Sequence, residues 1–243
     1  MSDEGRGTGT LWGVSVGPGD PELITVKALR TIGACPTLAY PVARAGADSL
    51  ALGIVRAATD VTGHELLEVV LPMSRDEERL ERAHRLVART LEARLDAGAD
   101  VAFACLGDVS VYSTFSRLAA IATSDGYRVR TVAGVPSFCA AASALGEPLT
   151  QTPETQVHVI PARTGDLGAA LGLPGCKVVM KAGRDMPDAL RALRERDLLG
   201  RTALVENCGL PGERVVARLS EGCGDAGDGE GRTGYFATLL VRP

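Results

Sequence analysis

The sequence predicts an α/β chain of two domains, a parallel-sheet N-terminal domain followed by a mixed-sheet C-terminal domain, with a ligand cleft between them. Three observations carry this. Apolar strands alternate with amphipathic helices through the first half, the pattern of a parallel sheet with crossover helices. Three of those strands end in small-residue turns that run straight into a helix, where open α/β sheets bind ligands. After Gln156 the alternation gives way to closely spaced strands, the mark of a second, differently built domain.

Taken in order, residues 1–10 are polar and glycine-rich and read as a frayed N-terminus. Residues 11–16 form a strand and 21–32 a helix, introduced by Asp20 as N-cap and Pro21 at the first helical position. A short strand at 37–40, a helix at 48–58 and a strand at 65–71 follow. A long charged helix at 76–97 is stopped by Gly98. The run 101–106 is apolar throughout, as a strand covered on both faces must be. A helix at 111–123, a strand at 127–132 and a small-residue helix at 137–144 complete the first half. The N-terminal domain spans 11–148 and the C-terminal domain 149–243, the boundary falling where Pro148 and Pro153 interrupt the pattern. Beyond it, 156–160, 177–180 and 202–205 read as strands and 185–197 as a helix with Leu190 and Leu193 on its apolar side. Strands at 214–219 and 235–241 are joined by a Gly/Asp-rich loop, 221–234, expected to be mobile.

With 243 residues, 45% of them hydrophobic, the chain can bury a sizeable core, and a net charge of −4 argues against broad nucleic-acid binding. No secretory leader and no apolar run of membrane length is visible. The six cysteines, Cys35, Cys105, Cys139, Cys176, Cys208 and Cys223, have no short-spaced pair of the zinc or redox kind. Cys105, Cys139 and Cys176 sit among apolar or small residues and are expected to be buried thiols. A reducing, cytoplasmic setting is the expectation, with no metal, no membrane and no nucleic acid.

The first turn, Val16-Gly17-Pro18-Gly19-Asp20-Pro21-Glu22, decides the ligand. Gly17 and Gly19 let backbone approach closely. Pro18 and Pro21 have no N–H to donate, and Asp20 and Glu22 are acidic, so a phosphate is poorly served. Glu22 also stands where a dinucleotide fingerprint needs its third glycine. Taken alone, the turn either suits a nucleoside-like ligand without phosphates or is a purely structural strand-to-helix connection. The second turn is Cys105-Leu106-Gly107-Asp108-Val109-Ser110-Val111-Tyr112-Ser113, and the third Gly134-Val135-Pro136-Ser137-Phe138-Cys139. Asp108 fits either a ligand contact or a helix cap, and Tyr112 either a site wall or a core aromatic. His64, His84 and His158 share no motif; His84 lies in the charged helix and reads as a solvated surface residue, His158 as a satisfied core histidine.

The first turn resembles the GxGPGDPxLxT signature of the tetrapyrrole methylases, the second that family's Gly-Asp turn, the third its PGxSSF turn, and Ala203-Leu204-Val205-Glu206-Asn207 its fourth segment. The likeness runs from about Leu11 to Val241. Within the family, Tyr112-Ser113-Thr114-Phe115, Leu71-Pro72-Met73, Met180-Lys181 and Tyr235-Phe236-Ala237-Thr238 are most similar to members that methylate C20 of precorrin-2 in cobalamin synthesis. Val109 departs from the proline that usually follows Gly-Asp, Ala133 from the proline before Gly134, and Pro136 from a common hydroxyl residue. The resemblance implies S-adenosyl-L-methionine as methyl donor, held by Pro18, Leu106, Gly107, Asp108, Val111, Tyr112, Ser137, Phe138, Met180 and Cys208. It implies a small-molecule tetrapyrrole substrate and a homodimer. A substrate rich in carboxylates needs donors, and Arg44, Arg163 and Arg184 follow strand ends, either as substrate contacts or as ordinary surface arginines. The residues name no catalytic base. Methylation at another corrin or porphyrin position, a non-catalytic S-adenosylmethionine-binding module, and an RNA ribose methylase remain the alternatives, the last disfavoured by the acidic charge.

Overall fold

The computed structural model describes residues 9–74, 76–219 and 236–243. Its chain contacts divide it into two compact units, one ending at Pro136 and the other beginning at Ser137. That division falls ahead of the 148/149 boundary expected above, because the helix following Pro136 packs against a strand of the second unit. Of the segment expected to fray, only Gly9 and Thr10 are described, and Thr10 opens the first strand. The expected loop at 221–234, with Cys223, lies outside the described residues.

The first unit holds β1 (Thr10–Ser15), α1 (Val26–Ala34), β2 (Thr37–Val42), α2 (Leu50–Ala58), β3 (Glu65–Val70), α3 (Glu77–Asp96), β4 (Val101–Cys105), α4 (Phe115–Ser124) and β5 (Arg128–Val132). The five strands are parallel throughout, in the order β3-β2-β4-β1-β5. Alternate residues of β4 serve opposite faces. Val101, Phe103 and Cys105 join Leu91 and Leu95 of α3 and Phe115 and Leu118 of α4. Ala102 and Ala104 join Ala28 and Ile32 of α1 and Leu52 and Val55 of α2. Both faces are covered, which is why the strand reads as one unbroken apolar run.

The strand order has a functional consequence. From β1 the chain moves toward β2 and β3 by helices on one face; from β4 it moves to β5 by a helix on the other. The order therefore reverses between the adjacent strands β1 and β4. A crevice outside the carboxyl ends of such a pair is where open α/β sheets take ligands.

Two helix starts differ from expectation. The segment 21–32 is not one helix: Asp20 Oδ1 caps only a 3-10 turn, Pro21–Leu23, and Thr25 Oγ1 accepts from Ala28 N at 3.1 Å to start α1 afresh. The helix expected from Val111 begins at Phe115, because Tyr112 adopts φ 47°, which no right-handed helix contains.

The second unit holds α5 (Ser137–Leu145), β6 (Val157–Pro161), α6 (Leu167–Leu171), β7 (Cys176–Met180), α7 (Met186–Glu195), β8 (Thr202–Glu206), β9 (Arg214–Val216) and β10 (Ala237–Val241). Its sheet runs β6-β7-β10-β8-β9, parallel only between β6 and β7 and antiparallel at the other three pairings. The mixed sheet is as the strand spacing predicts. Its core sets Val179, Leu204 and Leu239 against Met186, Ala189 and Leu193 of α7. The short helix α6 went unforeseen.

Candidate functional site

In the first unit the turns after β1, β4 and β5 converge at the switch point. Gly17 and Gly107 form an isolated antiparallel bridge, Gly107 N donating to Gly17 O at 2.8 Å and Gly17 N to Gly107 O at 3.3 Å. Both have positive φ, 78° and 72°, which side chains rarely adopt. A Cβ at Gly107 would meet no atom within 4 Å, so open space lies in front of this backbone. Gly134 is required for a different reason: a Cβ there would stand 2.4 Å from Ser15 Cβ.

Two buried side chains tie the turns together. Ser15 Oγ donates to Val132 O at 2.7 Å and accepts from Val109 N at 2.9 Å. Asp108 is 8% exposed. Its Oδ2 accepts from Gly134 N at 2.7 Å, and its Oδ1 accepts from Ser110 N at 2.8 Å and from Ser110 Oγ. Burial raises the Asp108 pKa, but the hydrogen bonds from Gly134 and Ser110 outweigh it and hold the carboxyl below its ordinary value. Asp108 is thus an ionised clamp between the second and third turns. Of the other first-unit positions, Pro18 is buried, Leu106 and Val111 are half-buried, and Tyr112 is 42% exposed. Tyr112 is therefore no core aromatic; its left-handed backbone is a local strain of the kind found at ligand sites.

The second unit carries its own positions at one end of its sheet. Met180 closes β7, followed by Lys181 at φ 59°; Glu206 closes β8, followed by Asn207 at φ 51° and then Cys208. Between these strands β10 begins, and Asn207 N donates to Phe236 O at 3.1 Å while Ala182 N donates to Ala237 O at 3.3 Å. The two left-handed residues thus flank the start of β10 symmetrically. Met180 is buried and Cys208 half-buried. Ser137 and Phe138 open α5, both half-buried. Glu206 is 5% exposed and paired with Arg214 Nε at 3.4 Å across the β8–β9 register.

Ser15, Gly134, Lys181, Asn207 and Glu206 were not singled out as site residues by the sequence. Gly134, Lys181, Glu206 and Asn207 lie in segments that carry the family resemblance, but only their tertiary setting gives them a place in the site; nothing in the sequence marks Ser15. Arg44 is exposed in the loop after β2. Arg163 follows β6 and lies 3.7 Å from Asp185 Oδ2, and Arg184 sits in the 3-10 turn Gly183–Asp185.

Some expectations are corrected. His84 is not solvated: it is 4% exposed on the inward side of α3, its Nδ1 donating to Leu80 O at 2.6 Å. Cys139 is exposed rather than buried, because α5 turns Ala140, Ala141 and Ala142 inward instead. Cys105 and Cys176 are buried, and burial pushes the Cys105 thiol up to about 12, far from a nucleophile's range. His158 is held by Nε2 to Pro174 O at 2.9 Å. Among the described residues no three or more His, Cys, Asp or Glu gather as a metal site, and no helix is long and apolar enough to cross a membrane.

Comparison with known proteins agrees with this architecture. The family model of the tetrapyrrole (corrin/porphyrin) methylases matches residues 10–222. The chain is 34% identical over 237 residues to cobalt-precorrin-2 C(20)-methyltransferase of Salmonella typhimurium, covering 96% of each. It is 35% identical over 219 residues to the cobalamin biosynthesis protein CobIJ of Mycobacterium tuberculosis, covering 86% of this chain but only 42% of that protein. Precorrin-4 C(11)-methyltransferase of Rhodococcus erythropolis is 31% identical over 74% of this chain and 69% of its own. The cobalt precorrin-4 methyltransferase CbiF superposes with a TM-score of 0.75 at 22% identity, over 96% of this chain and 94% of its own. Uroporphyrin-III C-methyltransferase of Thermus thermophilus does so at 0.68 and 26%, over 97% and 92%. The chain belongs to the tetrapyrrole (corrin/porphyrin) methylases.

Proposed function

We propose that the protein transfers a methyl group from S-adenosyl-L-methionine to C20 of precorrin-2, metal-free or carrying cobalt, in cobalamin biosynthesis. One observation carries the position: likeness to a C20-methyltransferase extends over 96% of both chains, whereas that to a C11-methyltransferase covers 74% and 69%. The donor is supported by a further neighbour, a Thermus thermophilus uroporphyrin-III C-methyltransferase complexed with S-adenosyl homocysteine, at TM-score 0.67 and 23% identity.

The residues present fit such a donor. Backbone at Gly17, Gly107 and Gly134 is stripped of side chains, open space fronts Gly107, and Pro18 offers no N–H for a phosphate. Asp108 fixes the turn through Gly134 and Ser110, and its Oδ2, with one hydrogen bond among the described residues, keeps acceptor capacity for the ligand. We assign donor binding to Pro18, Leu106, Gly107, Asp108, Val111 and Tyr112 in the first unit, and to Ser137, Phe138, Met180 and Cys208 in the second.

When bound, the donor supplies an electrophilic sulfonium methyl, and the chain's task is to hold the acceptor carbon in line and exclude water. Such positioning supplies about 7–11 kcal/mol in well-oriented systems. Arg44, Arg163 and Arg184 are assigned to substrate carboxylates. The proposal extends to a cytoplasmic homodimer. Unpaired thiols at Cys35, Cys105, Cys139 and Cys176 suit a reducing compartment, and two-fold self-association is the commonest kind. The test is incubation with S-adenosylmethionine and enzymatically made precorrin-2, with and without cobalt, followed by mass spectrometry. Gain of one methyl is expected. Adenosylmethionine binding with no transfer to either form would overturn the enzyme in favour of a binding module.

A further inference from the structure

A second concave site lies wholly within the second unit, at the end of its sheet away from Met180. A cavity of about 430 Å³ is lined by the segment joining α6 to β7, by Lys177 at the start of β7, and by Arg196, Arg201 and Arg242. No carboxylate side chain lines it. Lys177 and Met180 are three residues apart on β7, about 10 Å at the usual strand rise, so an occupant here is distinct from one beside Met180.

Lys177 is the informative residue. It is 4% exposed, and its Nζ donates to Gly175 O at 2.7 Å and to Leu173 O at 3.2 Å. Its third N–H has no partner, and it has no ion pair, among the described residues. Burying an ammonium without a counter-charge is costly, and burial accordingly draws its pKa below the usual lysine value. Of the titratable groups around it, Cys176 opposes that shift and Arg201 adds to it. Arg201 is a like charge that disfavours the ammonium further; its Nη1 donates to Pro243 O at 3.1 Å. Arg196 makes no ion pair among the described residues and lies over Gly172, where a Cβ would stand 2.7 Å from its Nη1, so the glycine makes room for the guanidinium. Arg242 is matched, its Nε and Nη2 bound to Glu147 at 2.6 and 2.7 Å. Counting Glu147, Asp166, which lies beside Arg196 next to Gly168, and a carboxyl at Pro243 against the four cations still leaves one positive charge over.

We propose that this cavity is a binding site for a small polyanion carrying two or more carboxylate or phosphate groups. Its volume is that of a small-molecule pocket, the arginine forks suit planar oxyanions, and the buried lysine supplies a point charge at the floor. The occupant provides the counter-charge that Lys177 lacks.

Calorimetry on the full chain at constant ionic strength, with pyrophosphate and with citrate as probes and chloride as control, tests this. At least one probe binds saturably, one per chain; whichever binds tighter identifies the phosphate or the carboxylate class. The Arg196→Gln/Arg201→Gln variant alters exposed residues, keeps the wild-type melting temperature, and weakens binding at least tenfold. Lys177→Met weakens it similarly if it folds; the double variant carries the test if it does not. Saturable binding by neither probe, wild-type affinity in the double variant, or equal weakening by Arg30→Gln on α1 would each overturn the site.

Discussion

Replacing Asp108 by alanine should loosen the turn cluster of the first unit, and the structure sets the size of the effect. The Gly134 N–H bond joins two loops 26 residues apart at 2.7 Å. A hydrogen bond to a charged acceptor is worth about 1.5–3 kcal/mol, and the loss leaves a half-buried donor unpaired. The two bonds from Ser110 are local and at an exposed residue, and together add about 1 kcal/mol. The expected loss is therefore about 2–4 kcal/mol, which for a chain of this size moves Tm by about 5–15 °C. Urea unfolding followed by fluorescence reads it directly, since the chain's one tryptophan, Trp12, lies on β1 between β4 and β5. The sign with pH follows from the depressed carboxyl. Stability from Asp108 is fully present above the unfolded pKa, near 3.8, and is lost as pH falls through the lower folded value. The gap between wild type and variant should thus be constant near neutrality and close below pH 4. In the folded variant, donor affinity should fall by about 1–3 kcal/mol because the turn is displaced. A stability loss under 0.5 kcal/mol would refute the clamp; unchanged calorimetric affinity would confine Asp108 to a structural role.

Gly134→Ala should destabilise by about 1–3 kcal/mol or more, since its Cβ collides with backbone-anchored Ser15 Cβ; chemical denaturation checks this, and a near-neutral result would mean the third turn is mobile. Arg44→Ala, Arg163→Ala and Arg184→Ala should each raise KM for the tetrapyrrole while sparing donor affinity. Loss of the Arg163–Asp185 contact costs little stability, since the arginine is 56% exposed; wild-type kinetics in all three would remove the assignment. Light scattering at micromolar concentration should give twice the chain mass, and a monomer alone would exclude the homodimer.

Much of the fold was legible because periodicity survives burial. The run Val101–Cys105 is apolar because α1 and α2 cover one face and α3 and α4 the other, and the shorter strand spacing of the second half follows its antiparallel pairings. What escaped is what tertiary contact decides. Asp20 and Thr25 are both good caps, and sequence alone does not say that the first starts only a 3-10 turn. At five residues, α6 is too short for a helical period. The glycine turns were readable as turns, but Ser15 bridging β5 and the Gly107–Val109 turn, and Gly134 pressed against Ser15, require the strands to be adjacent. Lys181 and Asn207 bend left-handed without glycine, so no punctuation marks them. The cations of the second cavity come from the starts or ends of different elements and share no motif.

The central claim is methylation at C20, and carbon NMR of the product tests it most directly. Precorrin-2 treated with the protein and with S-adenosylmethionine labelled at its methyl carbon should give a single new labelled methyl, bonded to the C20 meso carbon. A label on any other carbon would assign the chain to a different member of the family, and an unlabelled tetrapyrrole would contradict the enzyme altogether.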